Sequence, residues 1–258
     1  MKTRVRWLVI FVLFLVVPFR PTAYGGDDEI LVFVAASLTD AMNEIKERFE
    51  ERAGGRVFFS FGSSGTLCRQ IQKGAPADVF VSASPIQIDA LELDGLVLLD
   101  TRKDLLTNNL VVIVPRGSGL RVTQAEDLAQ KEVAKIAIGE PDAVPAGAYA
   151  KEALENLGLW DSLHPKIVPA LDVRAVLAYV ERQAADAGIV YGTEATISDK
   201  VEVVYEFPED SHTAIVYPAV VLKDSKAEAL AREFVDFLSS AEAGRVFEAY
   251  GFKTTGGH

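Results

Sequence analysis

Cysteine is nearly missing from this 258-residue chain: Cys68 is the single one. One cysteine allows no intramolecular disulfide, so if the chain is exported its fold must rest on core packing. In the run TLCRQI, Cys68 reads as a small buried helix residue rather than a reactive thiol. Histidine is scarce too, with three. His164 precedes a proline, His212 sits in the polar stretch PEDSHT and His258 is the last residue, so all three read as surface loop positions. A serine nucleophile needs a base within hydrogen-bond reach, and this pattern supplies none. The elbow G-x-S-x-G is also absent, because Gly62-Ser63-Ser64-Gly65 sets its glycines one residue too close. H-E-x-x-H, C-x-x-C, an Asp-rich calcium loop and G-x-x-x-x-G-K-[ST] do not occur, which removes the usual zinc, redox, calcium and nucleotide devices. No catalytic residue, bare metal ion or cofactor is expected. Basic residues are outnumbered, with 26 Lys and Arg against 37 Asp and Glu, which argues against nucleic acid and anionic membrane surfaces as partners.

A run long enough to span a membrane is lacking as well. WLVIFVLFLVVPF, Trp7 to Phe19, is thirteen residues, short of the ~20 a spanning helix needs. It follows the basic MKTRVR and precedes small residues, the layout of a secretory signal peptide over residues 1–25, with Ala23-Tyr24-Gly25 as the cleavage site. Cys68 lies far from that junction, so no lipid anchor is expected and the product should be soluble. Removing 25 of 258 residues leaves 233, in which 22 basic residues face 37 acidic ones, a formal charge of −15. That length suffices for two modest lobes.

Strands alternate with helices, the pattern of an α/β fold with largely parallel sheets. Strands are predicted at Ile30–Ala35, Arg56–Phe61, Asp78–Ser82, Leu110–Pro115, Lys135–Gly139, Lys166–Pro169, Gly188–Tyr191, Glu202–Phe207 and Ala214–Leu222. Leu38, Met42, Ile45 and Phe49 recur at helical spacing, and Ser37-Leu38-Thr39-Asp40 fits a capping box. Pro145 suits a first helical turn, Tyr149, Ala153, Leu154 and Leu157 follow in period, and Gly158 stops that helix. Asp172 can cap a helix whose stripe is Val173, Val176, Leu177 and Val180. The C-terminal segment reads as two helices with Phe234, Phe237, Leu238, Phe247 and Tyr250 in the core. Apolar stretches on either side of Asn108-Asn109 and of FPEDSH predict that the chain crosses between lobes twice, giving residues 26–107 plus 206–258 in one lobe and 108–205 in the other.

What is present is a set of helix starts that follow strands and carry small or hydroxyl residues: Ser37 in AASLTD, Ser64 in GSSGT, Ala146 in VPAGAY and Val173 in LDVRAV, joined by Tyr191 in GIVYGT. Free N–H groups and the dipole at a helix N-terminus favour anions, and in open α/β sheets such turns gather beyond the carboxyl ends of the strands. A site rich in neutral donors and poor in acceptors selects a fully deprotonated anion. Plainer readings exist: Ser37 and Asp172 as ordinary caps, and Tyr191 as a buried strand-end aromatic whose hydroxyl bonds the backbone. Asp78 reads as structural. Arg174 either pairs with the anion or faces solvent.

The phrases VFVAASLTDAM, FSFGSSGTLCRQIQKGAPADVFVSA, NNLVVIVPRG, VPAGAYAKEALENLGLWDSL, KIVPALDVRAVLAYVER, AGIVYG and FPEDSH run along nearly all of the mature length. Together they resemble the periplasmic molybdate-binding proteins of ABC importers, which are class II solute-binding proteins. The resemblance implies a two-lobed architecture with a ligand cleft between the lobes. It further implies an oxyanion held by Ser37 and Ser64 from the first lobe, and by backbone N–H groups of Ala146 and Val173 and the Tyr191 hydroxyl from the second. Molybdate, with tungstate as a near-identical second ligand, and a membrane permease are the implied partners, and a periplasmic monomer is the implied form. The family often has Ser where this chain has Gly65, a departure expected to loosen the turn, and Ser63 is the rival to Ser64. Two other functions remain open in the sequence: a receptor for another tetrahedral oxyanion such as sulfate or thiosulfate, and, more remotely, a serine esterase using Ser64.

Overall fold

The computed structural model describes residues 28–255; the signal peptide and His258 lie outside them. The chain begins with β1 (Glu29–Ala35), α1 (Thr39–Ala53), β2 (Arg56–Gly62), α2 (Ser64–Gln72), β3 (Val79–Val81), α3 (Pro85–Leu93) and β4 (Lys103–Thr107). It continues through β5 (Leu110–Pro115), β6 (Ile136–Gly139), α4 (Pro145–Asn156), α5 (Trp160–Leu163), β7 (Ile167–Ala170), α6 (Val173–Glu181), β8 (Ala187–Tyr191), α7 (Gly192–Thr196) and β9 (Val201–Glu206). It ends with β10 (Val216–Val221), α8 (Glu228–Leu238), α9 (Ala241–Ala249) and β11 (Lys253–Thr254).

These strands form two sheets, one ordered β11-β4-β10-β3-β1-β2 and the other β7-β6-β8-β5-β9. Every strand from β5 to β9 belongs to the second sheet, and every strand before or after that stretch belongs to the first. Each sheet with its flanking helices makes one lobe of an α/β fold.

Alternation along β1 explains how the first lobe is filled. Side chains two apart share a face, so Val32 and Val34 join α1 and α8 on one side, while Phe33 meets Leu67, Cys68, Ile71 and Ile88 on the other. Cys68 is thus a buried small residue, and burial raises its thiol pKa. The helical stripes bury as their spacing predicts: Met42, Ile45 and Phe49 on α1, and Val173, Val176, Leu177 and Val180 on α6. Phe49 meets Phe234 edge-on at 4.9 Å, closing that side of the core.

Several expectations need correction. Both sheets are mixed rather than largely parallel: β1 pairs parallel with β2 and β3, but β10 runs antiparallel to β3 and β4, and β5 antiparallel to β8 and β9. The capping box does not form, because Ala36–Leu38 turns as a short 3-10 helix and α1 starts with Leu38 as its cap, without a side-chain bond. Leu157 caps the C-terminal end of α4 and is exposed, and Tyr250 caps α9 half-buried, packed against the core rather than within it. His212 is half-buried, with Nδ1 2.8 Å from the Thr213 carbonyl, while His164 is exposed.

Candidate functional site

The carboxyl ends of β1, β2 and β8 face one another across the cleft between the lobes. There Ser37, Ser64, Ala146, Val173 and Tyr191 all line one small cavity, together with Ser63 and Asp172. The cavity is small, about 10 Å³. That is space for one small group and too little for an organic metabolite. The five residues are buried, none more than 5 % exposed.

Backbone geometry arms this cavity with donors. Ser64 opens α2, Ala146 is the second residue of α4, Val173 opens α6, and Ser37 sits in the 3-10 turn. First-turn N–H groups have no acceptor inside their own helix, and the dipoles of α2, α4 and α6 add partial positive charge at these ends. Local sequence sets each start: Pro145 is preset for a first turn, and Asp172 accepts from the Ala175 N–H at 2.8 Å. That cap keeps the one carboxylate of the lining turned onto backbone.

Hydrogen-bond relays fix the side chains as donors too. The Ala83 N–H donates to Ser64 Oγ at 2.9 Å, which occupies an acceptor site and leaves the hydroxyl proton free. Asn108 Nδ2 donates to the Tyr217 hydroxyl at 3.3 Å, and that hydroxyl lies 3.2 Å from Ser37 Oγ. With Tyr217 accepting from Asn108 and donating to Ser37, the Ser37 proton is free as well. Ser63 differs: it donates to Thr66 Oγ1 at 2.8 Å, so its proton is already committed. The relays therefore favour Ser64 over Ser63.

Tyr191 ends β8, is 1 % exposed, and its hydroxyl has no hydrogen-bond partner among the described residues. The plain reading, a hydroxyl bonded to backbone, is not what the structure contains. Burial, and then Tyr217, Tyr149 and Glu194 nearby, push this phenol well above its usual range, so it stays a donor.

Neither described histidine lines the cavity. Asp78 is structural, accepting from the Leu31 N–H and from Ser225 Oγ, both at 2.7 Å. Gly65 does not loosen its turn: it lies within α2 and donates to the Ala143 carbonyl of the other lobe at 3.0 Å. A Cβ at Gly65 would stand 2.6 Å from that oxygen, so the glycine lets the lobes approach.

Sequence reasoning missed Glu194, which sits in α7 1 % exposed. Burial pushes its carboxyl up to about 8, with Arg174 pulling the other way and Asp40 and Asp172 adding to the rise. Between about 4.5 and about 8 the folded state holds a proton that the unfolded chain has released, so stability falls as pH climbs through that window. The slope approaches 1.4 kcal/mol per pH unit. Glu194→Gln should flatten it: the melting temperature of the wild type minus that of the variant should decrease from about pH 5 to about pH 9. A difference independent of pH would remove Glu194 as the source.

One family description, bacterial extracellular solute-binding protein, matches residues 30–253. The molybdate-binding protein ModA of Escherichia coli (strain K12) is 44 % identical over 234 residues, covering 89 % of this chain and 91 % of that protein. Among solved structures, the substrate-binding domain of a putative molybdenum ABC transporter from Clostridium difficile is 41 % identical, with a TM-score of 0.69 over 88 % of this chain and 99 % of that one. The periplasmic molybdate-binding protein of Azotobacter vinelandii is 28 % identical, with a TM-score of 0.78 over 86 % and 98 %. A match spanning residues 30–253, and relatives this similar along almost their whole length, mean that the chain belongs to the bacterial extracellular solute-binding protein family, alongside the molybdate-binding proteins.

Proposed function

We propose that this chain is an extracytoplasmic receptor that captures molybdate between its lobes and hands it to the permease of an ABC importer, with tungstate as a second ligand. The observation that carries the reading is the Tyr191 hydroxyl, buried without a hydrogen-bond partner among the described residues, beside a cavity where Ser37, Ser64 and the helix-start N–H groups are arranged as donors. A buried polar group left unmet costs about 1–3 kcal/mol, and an oxyanion removes that cost. In this reading Ser37 and Ser64 bind from residues 26–107 plus 206–258, and Ala146, Val173 and Tyr191 bind from residues 108–205. Export through an N-terminal signal into the periplasm, as a soluble monomer without an anchor and without catalytic activity, completes it.

Magnitudes are adequate. Hydrogen bonds to a charged group contribute about 1.5–3 kcal/mol each, so five to seven donors offer roughly 8–20 kcal/mol before ordering and closure costs. Monohydrogen phosphate brings a proton that a donor-only site cannot accept, and sulfate, being smaller, would stretch the contacts. Calorimetric titration should give tight one-to-one binding of molybdate and tungstate, weaker sulfate and negligible phosphate. Ser64→Ala and Tyr191→Phe should each weaken molybdate about tenfold; Tyr191→Phe should keep the melting temperature, whereas Ser64→Ala should lower it by stripping the buried Ala83 N–H of its acceptor. Affinity unchanged in both variants would remove this site, and preference for sulfate would make the chain a receptor for that oxyanion.

A further inference from the structure

Arg174 is the second residue of α6, beside Val173, yet it does not line the cavity. It is also turned away from open solvent, with its side chain 28 % exposed. Nε lies 3.0 Å from Glu194 Oε2 in its own lobe, and Nη2 lies 2.6 Å from Asp40 Oδ2 on α1 of the other lobe. The placement is close to the proposed ligand contacts: Asp40 follows Ser37 by three residues, and Glu194 follows Tyr191 by three. The two carboxylates differ in kind. Glu194 is buried and Asp40 is 43 % exposed, so Asp40 can exchange the guanidinium for water at little desolvation cost, while Nε and the Glu194 carboxyl lie close without a hydrogen bond between them. The backbone bond from Gly65 to Ala143 makes a second contact across the cleft.

We propose that Arg174 is a closure latch: its pairing with Asp40 across the cleft slows escape of the bound anion without touching it. The inference rests on the receptor reading above. An ion pair between lobes exists only while they are closed, so it stabilises the ligand-bound state and should act on release far more than on capture. Arg174 is thereby a positioning residue and not a ligand.

The experiment loads the mature protein with radiolabelled molybdate and chases it with excess unlabelled molybdate. Asp40→Asn should release the label about three- to tenfold faster, with association changed by about twofold or less. It should leave the ligand-free melting temperature unchanged while reducing the melting gain that molybdate confers. Arg174→Gln should speed release similarly, and the double variant should add little to either. Because Arg174→Gln strands the buried Glu194 and can impair folding, Asp40→Asn carries the test. Retained label released at the wild-type rate by Asp40→Asn overturns the latch alone. A wild type that retains no label overturns the molybdate reading and the latch with it.

Discussion

Val173→Pro should lower molybdate affinity about ten- to a hundredfold and leave the fold standing. Proline at this position deletes one backbone N–H and little else. It is at home in the first position of a helix, where its fixed φ suits the turn and the lost N–H has no intrahelical partner. The residue before a proline must be extended, and Asp172 already is, at φ −158° and ψ 176°. The cap from Ala175 to Asp172 is untouched. The cyclic side chain replaces a valine 3 % exposed, a loss of apolar contact worth about 1 kcal/mol. If the Val173 N–H donates to a dianion, its removal costs about 1.5–3 kcal/mol of binding. Calorimetric titration beside thermal melts of the ligand-free protein separates binding from folding. Affinity within twofold of the wild type, with an intact melt, would take Val173 out of the site.

What could be seen from sequence was what is local. The stripes of α1 and α6 are written at three- and four-residue spacing, and the proposed contacts stand where small and hydroxyl residues open helices after strands. What was not legible is set by residues distant in the chain. The mixed direction of the sheets follows from where β10 and β5 enter, which no alternation pattern encodes. β4 reads KDLLT, too charged to announce a strand, and is held by β10 and β11 on its two sides. β11 is two residues and exists through pairing. Ser37 fits a capping box by spacing, but Tyr217, 180 positions away, holds its hydroxyl instead. Glu194 in YGTEAT looks like an exposed acid, and it is tertiary packing that buries it against Arg174. The role of Arg174 was unreadable for the same reason, since both of its partners come from other elements.

The Ala146 N–H owes its position to a neighbour that no ligand touches, and Gly147→Ala should show it. A Cβ at Gly147 would stand 1.9 Å from the Gly139 carbonyl oxygen and 2.5 Å from its carbon. That carbonyl belongs to β6, where Gly139 is paired with Ala170 of β7 and the strand's other end with β8, so it cannot withdraw without breaking the β6–β7 ladder. α4 must lift instead, at the turn that carries Ala146. Alanine favours a helix over glycine by about 1 kcal/mol, but overpacking against fixed backbone costs more, and the net loss of stability should be about 2–3 kcal/mol. Molybdate affinity should fall at least about tenfold, because a donor displaced by even part of an ångström no longer meets its acceptor squarely. Denaturant unfolding of the ligand-free protein and titration of the folded fraction measure the two effects separately. A variant as stable as the wild type would mean that helix propensity wins and that the contact between Gly139 and Gly147 imposes no constraint. Full affinity in a destabilised variant would detach Ala146 from the site while leaving the packing argument intact.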